Sequence, residues 1–290
     1  MYNKTILRNG IEVITHSMPR MQSVALGVWI RVGGRYEDKK NKGLSHYLEH
    51  ILFKGSKKYS CRRIKETIEG VGGSLNGFTS EELTCYLAKL PHRYLETALD
   101  ILSDMVINPL LSPQDIDKER TVILEEIKMY KDLPQSYVHD LLDELMWPGQ
   151  PLGMSILGTA ESVGRINKGL LSSFKDKFYA PNNIVISAAG KLVHDKFCLK
   201  CERIFSGLGE REKSLFPQAR KIQDKPNLKV FVKETEQTHM ALGFHSVCRG
   251  HPLKYAVSLL HIILGANMSS RLFNELREKR GLAYEIGTQI

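Results

Sequence analysis

The chain has 290 residues, 42% hydrophobic and 25% charged, values that suit two globular domains and exclude wholesale disorder, collagen or a disulfide scaffold. Lys and Arg total 41 against 32 Asp and Glu, a formal charge of +9, but the basic residues are scattered and form no nucleic-acid footprint. No apolar run is long enough to span a membrane, the N-terminus carries no export signal, and five cysteines fit free thiols, so a cytoplasmic protein without nucleic-acid or membrane partners is expected.

Residues 1–10 read as polar, and the alternation that follows predicts a first strand over 10–17. Residues 23–32, nearly all apolar, predict a central strand. A turn at 33–38 precedes a buried helix over 43–53, closed by Lys54-Gly55. A helix over 62–71 ends at Gly72-Gly73, and 74–90 predicts two strands around Thr79-Ser80-Glu81-Glu82. Residues 93–107 are amphipathic through Leu95, Leu99, Leu102 and Val106. Ser112-Pro113-Gln114-Asp115 is a helix start: Ser112 caps, and Pro113 suits the first turn. That helix runs to about Tyr130, another covers 135–146, an irregular loop covers 147–153, and a helix over 168–178 precedes a strand over 183–189.

Cys198 and Cys201 form a lone CxxC in an amphipathic stretch, which cannot make a four-cysteine zinc site and reads as structural. The charged, weakly periodic residues 207–227 read as a linker. Strands are then predicted over 228–233 and 238–246, with helices over 253–264 and 269–280. Val24-Ala-Leu-Gly-Val is echoed by Met240-Ala-Leu-Gly-Phe, which predicts two similar domains. The expected division is 1–206, a linker over 207–227, and the start of a second, incomplete domain over 228–290.

The chemistry-bearing motif is His46-Tyr47-Leu48-Glu49-His50. On a helix, positions i and i+4 lie about 40° apart, so both imidazoles can face one metal ion. Glu49 stands beside them, placed to take a proton from water, as in the inverted zinc motif. Incidental histidines are the alternative, but two imidazoles and a carboxylate within the apolar run 44–53 are costly without a purpose. Catalytic zinc takes three protein ligands and leaves one position open. The helix after Ser112 offers Glu119, Glu125 and Glu126; Glu119 and Glu126 are nearly two turns apart and share a face, and Glu126 sits between Leu124 and Ile127.

HYLEH followed by Glu126 resembles the M16 metallopeptidases, which include pitrilysin, insulysin and the mitochondrial processing peptidases. Supporting matches occur in order along the chain: residues 43–55, Gly72-Gly-Ser-Leu-Asn76, Glu119-Arg-Thr-Val-Ile-Leu-Glu-Glu126, Tyr179-Ala-Pro-Asn-Asn183, and 270–284. The bacterial processing-peptidase type is the most similar. The resemblance implies an α+β fold of two homologous domains, each a mainly antiparallel sheet packed against helices. It also implies a zinc metalloendopeptidase with one Zn2+ per chain, acting on unstructured peptides or presequences. His46, His50 and Glu126 would be ligands, Glu49 the general base and then proton donor, and Glu119 a second carboxylate supporting the site.

Asn76 would lie on an edge strand that pairs with the substrate peptide; Gly77 stands where the family commonly has Ala, which would leave that strand more flexible. Arg277 and Tyr284 match a pair that binds the substrate carbonyl region and would act from a partner subunit, in a homodimer or with another M16 chain. The competing reading is a non-catalytic M16-like peptide-binding or core subunit; the intact HxxEH and Glu126 speak against it.

Overall fold

The computed structural model describes residues 2–209 and 215–290. They form two compact units, Met1–Ala241 and Leu242–Ile290.

In the first unit a six-stranded sheet has the order β1-β2-β6-β3-β5-β4. Its strands are β1 (Asn3–Ile6), β2 (Glu12–Ser17), β3 (Ser23–Ile30), β4 (Ser74–Thr79), β5 (Thr84–Pro91) and β6 (Ile184–Gly190). All neighbours are antiparallel except β2 and β6. The central place expected for residues 23–32 is where β3 lies, between β6 and β5. Its even-numbered residues Val24, Leu26, Val28 and Ile30 are all buried, the period of two expected when one face carries the core.

Register sets that face. Val13, Ile186, Val28, Tyr86 and Gly77 stand opposite one another across five strands, so all present to the same side. The helices of this unit are α1 (Leu44–Leu52), α2 (Cys61–Glu69), α3 (Leu95–Ile107), α4 (Pro113–Asp132), α5 (Pro134–Met146), α6 (Ala160–Arg165), α7 (Lys168–Phe178) and α8 (His194–Phe205). α1 packs on β4 and β5, α3 on β3 and β5, and α8 on β2. Ser112 Oγ accepts from the Asp115 amide at 3.2 Å, the expected cap of α4. Cys198 and Cys201 are buried free thiols on α8.

Two expectations are corrected here. Residues 3–6, read as polar with the first strand expected only from residue 10, form edge strand β1, because pairing from Asn3 to Ile6 with β2 satisfies their backbone. Residues 228–233 and 238–246 form no strand among the described residues. Their alternation survives as alternating exposure over 239–246, but a strand needs a neighbouring ladder, and they have none. Of the expected linker, residues 210–214 lie outside the described residues, and 215–227 carry no helix or strand.

In the second unit, α9 (Lys254–His261) continues into a π-helical turn at Ile262–Ala266, and a second such turn covers Phe273–Glu278. Phe273 is its buried anchor.

Candidate metal centre

The site is built on α1, and eight of its nine residues are buried. A nine-residue helix has little stability alone and forms because of its contacts. Its N-terminus follows Gly43, which takes a left-handed φ of 97°, a conformation glycine adopts without a Cβ penalty. The orphan amides there are met by Glu37: Gly43 N–H donates to Oε2 at 3.0 Å and Ser45 N–H to Oε1 at 2.5 Å. The neighbouring helix is fixed across α1 by the Tyr47 hydroxyl, which donates to the Ile116 carbonyl on α4.

That crossing brings three side chains together. His46 Nε2 and His50 Nε2 each lie 3.7 Å from Glu126 Oε2, and one ligand atom from each residue falls within 4.8 Å of the others. The edge of a tetrahedral zinc site, with bonds of about 2.0–2.1 Å, is about 3.3 Å. The two histidine-to-glutamate spacings are a few tenths of an ångström wider, and with all three ligand atoms within 4.8 Å of one another the set can close on one ion. Neutral imidazole nitrogens and a carboxylate oxygen are the donor types zinc takes. Glu119 does not join this set. Its Oε1 lies 3.0 Å from His50 Nδ1 and its Oε2 2.5 Å from Lys54 Nζ.

The electrostatics separate these groups. Burial, helped by the charge of His50, pushes His46 down to about 3, so it is neutral at physiological pH. Burial also pulls His50 down, but the hydrogen bond to Glu119 and the surrounding carboxylates outweigh it and leave it raised. Burial raises Glu49 to about 7, with His50 opposing and Glu126 and Glu119 adding to the rise. A carboxylate with that affinity for protons is suited to general base work near neutral pH. Burial likewise raises Glu126. Glu119 is lowered, because its hydrogen bonds to His50 and Lys54 outweigh burial.

Asn76 lies on β4, an edge of the sheet, with its side chain exposed and its Oδ1 accepting from the Gly77 amide at 2.8 Å. Gly77 has a reason beyond flexibility, which the sequence does not reveal: a Cβ there would come within 2.6 Å of Glu49 Oε1 and 2.9 Å of the Phe53 ring. Close approach of α1 to the strand leaves no room for a side chain. Arg277 and Tyr284 belong to the second unit, where the Arg277 guanidinium lies 5.2 Å from the Tyr284 ring centroid and 4.7 Å from that of Phe273. Sequence reasoning passed over Lys54, which carries no motif of its own beyond closing α1.

The Insulinase (Peptidase family M16) model matches residues 12–160, and the Peptidase M16 inactive domain model matches residues 165–290. The chain belongs to the M16 peptidase family. Among relatives, the uncharacterized zinc protease YmxG of Bacillus subtilis is 38% identical over 286 residues, covering 99% of this chain and 69% of its own length. An uncharacterized zinc protease of Streptomyces coelicolor is 37% identical over 289 residues, covering 98% of this chain and 63% of its own length. The chain therefore spans 63% to 69% of the length of these two relatives. Among solved structures, a protease from Helicobacter pylori superposes with a TM-score of 0.85 at 21% identity, over 100% of this chain and 71% of that one. A peptidase M16 inactive domain from Pseudomonas fluorescens superposes with a TM-score of 0.82 at 20% identity, over 98% and 69%. At these identities the structural likeness is one of fold. No helix among the described residues is long and apolar enough to cross a membrane.

Proposed function

We propose that this chain is a zinc metalloendopeptidase, with one Zn2+ per chain held by His46, His50 and Glu126. The observation that carries this reading is the convergence of both Nε2 atoms on Glu126 Oε2, each at 3.7 Å, on the crossing of two helices. Zinc held there would supply Lewis-acid polarisation of the scissile carbonyl and a water nucleophile near neutral pH.

The chain's own residues do the rest. Glu49 takes the proton from the attacking water and hands it to the departing amine, the task its raised proton affinity fits. Glu119 accepts from His50 Nδ1–H and so keeps the Nε2 lone pair directed toward the metal. The substrate is an unstructured peptide that adds to the open edge of β4 beside Asn76, where main-chain groups have no strand partner on the outer side among the described residues. Arg277 and Tyr284 of a second subunit would meet the substrate carbonyl region, which makes a dimer part of this reading. The carboxylates of α4 favour basic peptides.

The test combines zinc content with hydrolysis of a quenched basic peptide, using Glu49→Gln as the control. One zinc per chain with activity lost in E49Q, while zinc is retained, supports the reading. Zinc without hydrolysis in the unmodified chain favours a non-catalytic peptide-binding subunit. A chain that takes up no zinc overturns the proposal.

A further inference from the structure

We infer that Lys54 is a positioning residue for the His50 imidazole, acting through Glu119; the inference rests on the zinc reading above. Lys54 follows the end of α1, four positions after His50, and its amide donates to the Ile51 carbonyl at 3.0 Å. Its Nζ meets Glu119 Oε2 at 2.5 Å, while the other oxygen of the same carboxylate meets His50 Nδ1 at 3.0 Å. Each oxygen of Glu119 thus has one partner, and both partners come from the end of α1.

The geometry matters because His50 has two nitrogens and only one can face the metal. A proton on Nδ1, held by a carboxylate, leaves the lone pair on Nε2. A glutamate carboxylate turns easily about its last torsion, which is broad and roughly two-fold. The Glu119 side chain is 6% exposed, so water offers little to hold its second oxygen. Lys54 supplies that hold and fixes the plane from which Oε1 addresses the imidazole. His46 has no equivalent: its Nδ1 is buried with no hydrogen-bond partner among the described residues. One of the two imidazoles is therefore set by the depth of α1, the other by the chain from Lys54 through Glu119.

The sign of the effect on zinc affinity separates positioning from simple charge. Deleting a cation near a dication would, by Coulomb's law alone, tighten zinc binding. Losing the orientation of a ligand weakens it, by about 10- to 100-fold for residues behind metal ligands. The experiment measures zinc affinity by chelator competition on the full chain for Lys54→Met, Lys54→Arg, Glu119→Gln and the K54M/E119Q pair. The visible spectrum of the cobalt-substituted protein and the melting temperature are recorded alongside.

K54M is expected to bind zinc about 10-fold or more weakly with an altered cobalt band, K54R to stay within about threefold of the unmodified chain, and K54M to add nothing in the E119Q background. Unchanged or tighter zinc binding in K54M, whatever its melting temperature, overturns the inference, as does an additive loss in the E119Q background. Should K54M fail to fold, Lys54→Gln carries the same expectation. An unmodified chain that binds no zinc instead defeats the zinc reading itself, which keeps the two failures apart.

Discussion

Replacing Lys42 by Met should destabilise the first unit by about 3–5 kcal/mol at pH 8, the cost of removing one partner from a buried ion pair. The Lys42 side chain is 2% exposed and that of Glu37 is 0% exposed, with Nζ 3.8 Å from Oε2. Lys42 also donates to the Gly34 carbonyl at 2.9 Å and the Pro151 carbonyl at 3.2 Å. Methionine fills similar volume but leaves those two carbonyls without a donor and Glu37 without a cation. Burial already raises Glu37 despite Lys42, and lowers Lys42 despite Glu37, so desolvation outweighs the pair even when it is intact. Without Lys42 the Glu37 carboxyl rises further. A carboxyl raised above its unfolded value near 4.5 contributes most below that pH and loses its contribution as pH climbs through the folded value. The penalty in K42M should therefore be smaller at pH 5 than at pH 8. Urea unfolding at both pH values measures it, and Glu37→Gln combined with K42M should recover part of the loss at pH 8. A K42M penalty below about 1 kcal/mol at pH 8, or one equal at the two pH values, would refute the argument that an uncompensated buried carboxylate is the cause.

Three further outcomes follow from the same structure. Burial raises Glu81 to about 7, and its Oε2 is buried without a hydrogen-bond partner among the described residues. Its contribution to stability should fall as pH rises from about 4.5 toward 7, so Glu81→Gln should melt higher than the unmodified chain at pH 8 and flatten the profile; parallel melting curves against pH would count against it. Gly77→Ala places a methyl 2.6 Å from Glu49 Oε1, short of ordinary contact by almost an ångström. A misplacement of about 1 Å costs on the order of 100-fold in rate, so kcat/KM should drop about 10-fold or more while zinc content holds; unchanged kinetics would show that β4 yields instead. Ser112→Ala removes the cap of α4 and should cost about 1 kcal/mol in urea unfolding, with zinc stoichiometry unaffected; no change in the urea midpoint would mean that water replaces the cap.

What was legible in the sequence was local. The apolar run of β3, the Ser112 cap and the i to i+4 pair His46 and His50 each state their structure within a few residues. The seven-residue interval between Glu119 and Glu126 correctly placed both on one face of α4, but only the crossing of α1 over α4 decides which of them meets which nitrogen. Edge strand β1 was illegible because three of its four residues are exposed, so no alternation marks it and its pairing partner does. The six-residue α6 is too short to show a helical period. The parallel pairing of β2 with β6 joins residues far apart in the chain, and nothing in either segment announces the other. The expected strands over 228–233 and 238–246 show the reverse failure. The alternating exposure over 239–246 is real, yet alternation specifies a face and not a partner.

The geometry of the site follows from how α1 is held, more than from the motif α1 carries. Its N-terminus is capped by Glu37, its middle is fixed to α4 by Tyr47, and its end is joined to α4 again through His50 and Lys54 on Glu119. The first two attachments are buried and the third is partly buried; such polar contacts cost desolvation and return it only when every partner is in place. Such contacts are poor general sources of stability but strict about arrangement. Apolar burial of Leu44, Leu48, Ile51 and Leu52 would tolerate a helix that slid or rolled by a fraction of a turn. The polar attachments do not, because a roll that preserved apolar burial would strand Glu37 or Glu119. A set of ligands that must converge within a few tenths of an ångström needs that intolerance, so the buried charges around α1 are best understood as what fixes the register of His46 and His50 against Glu126.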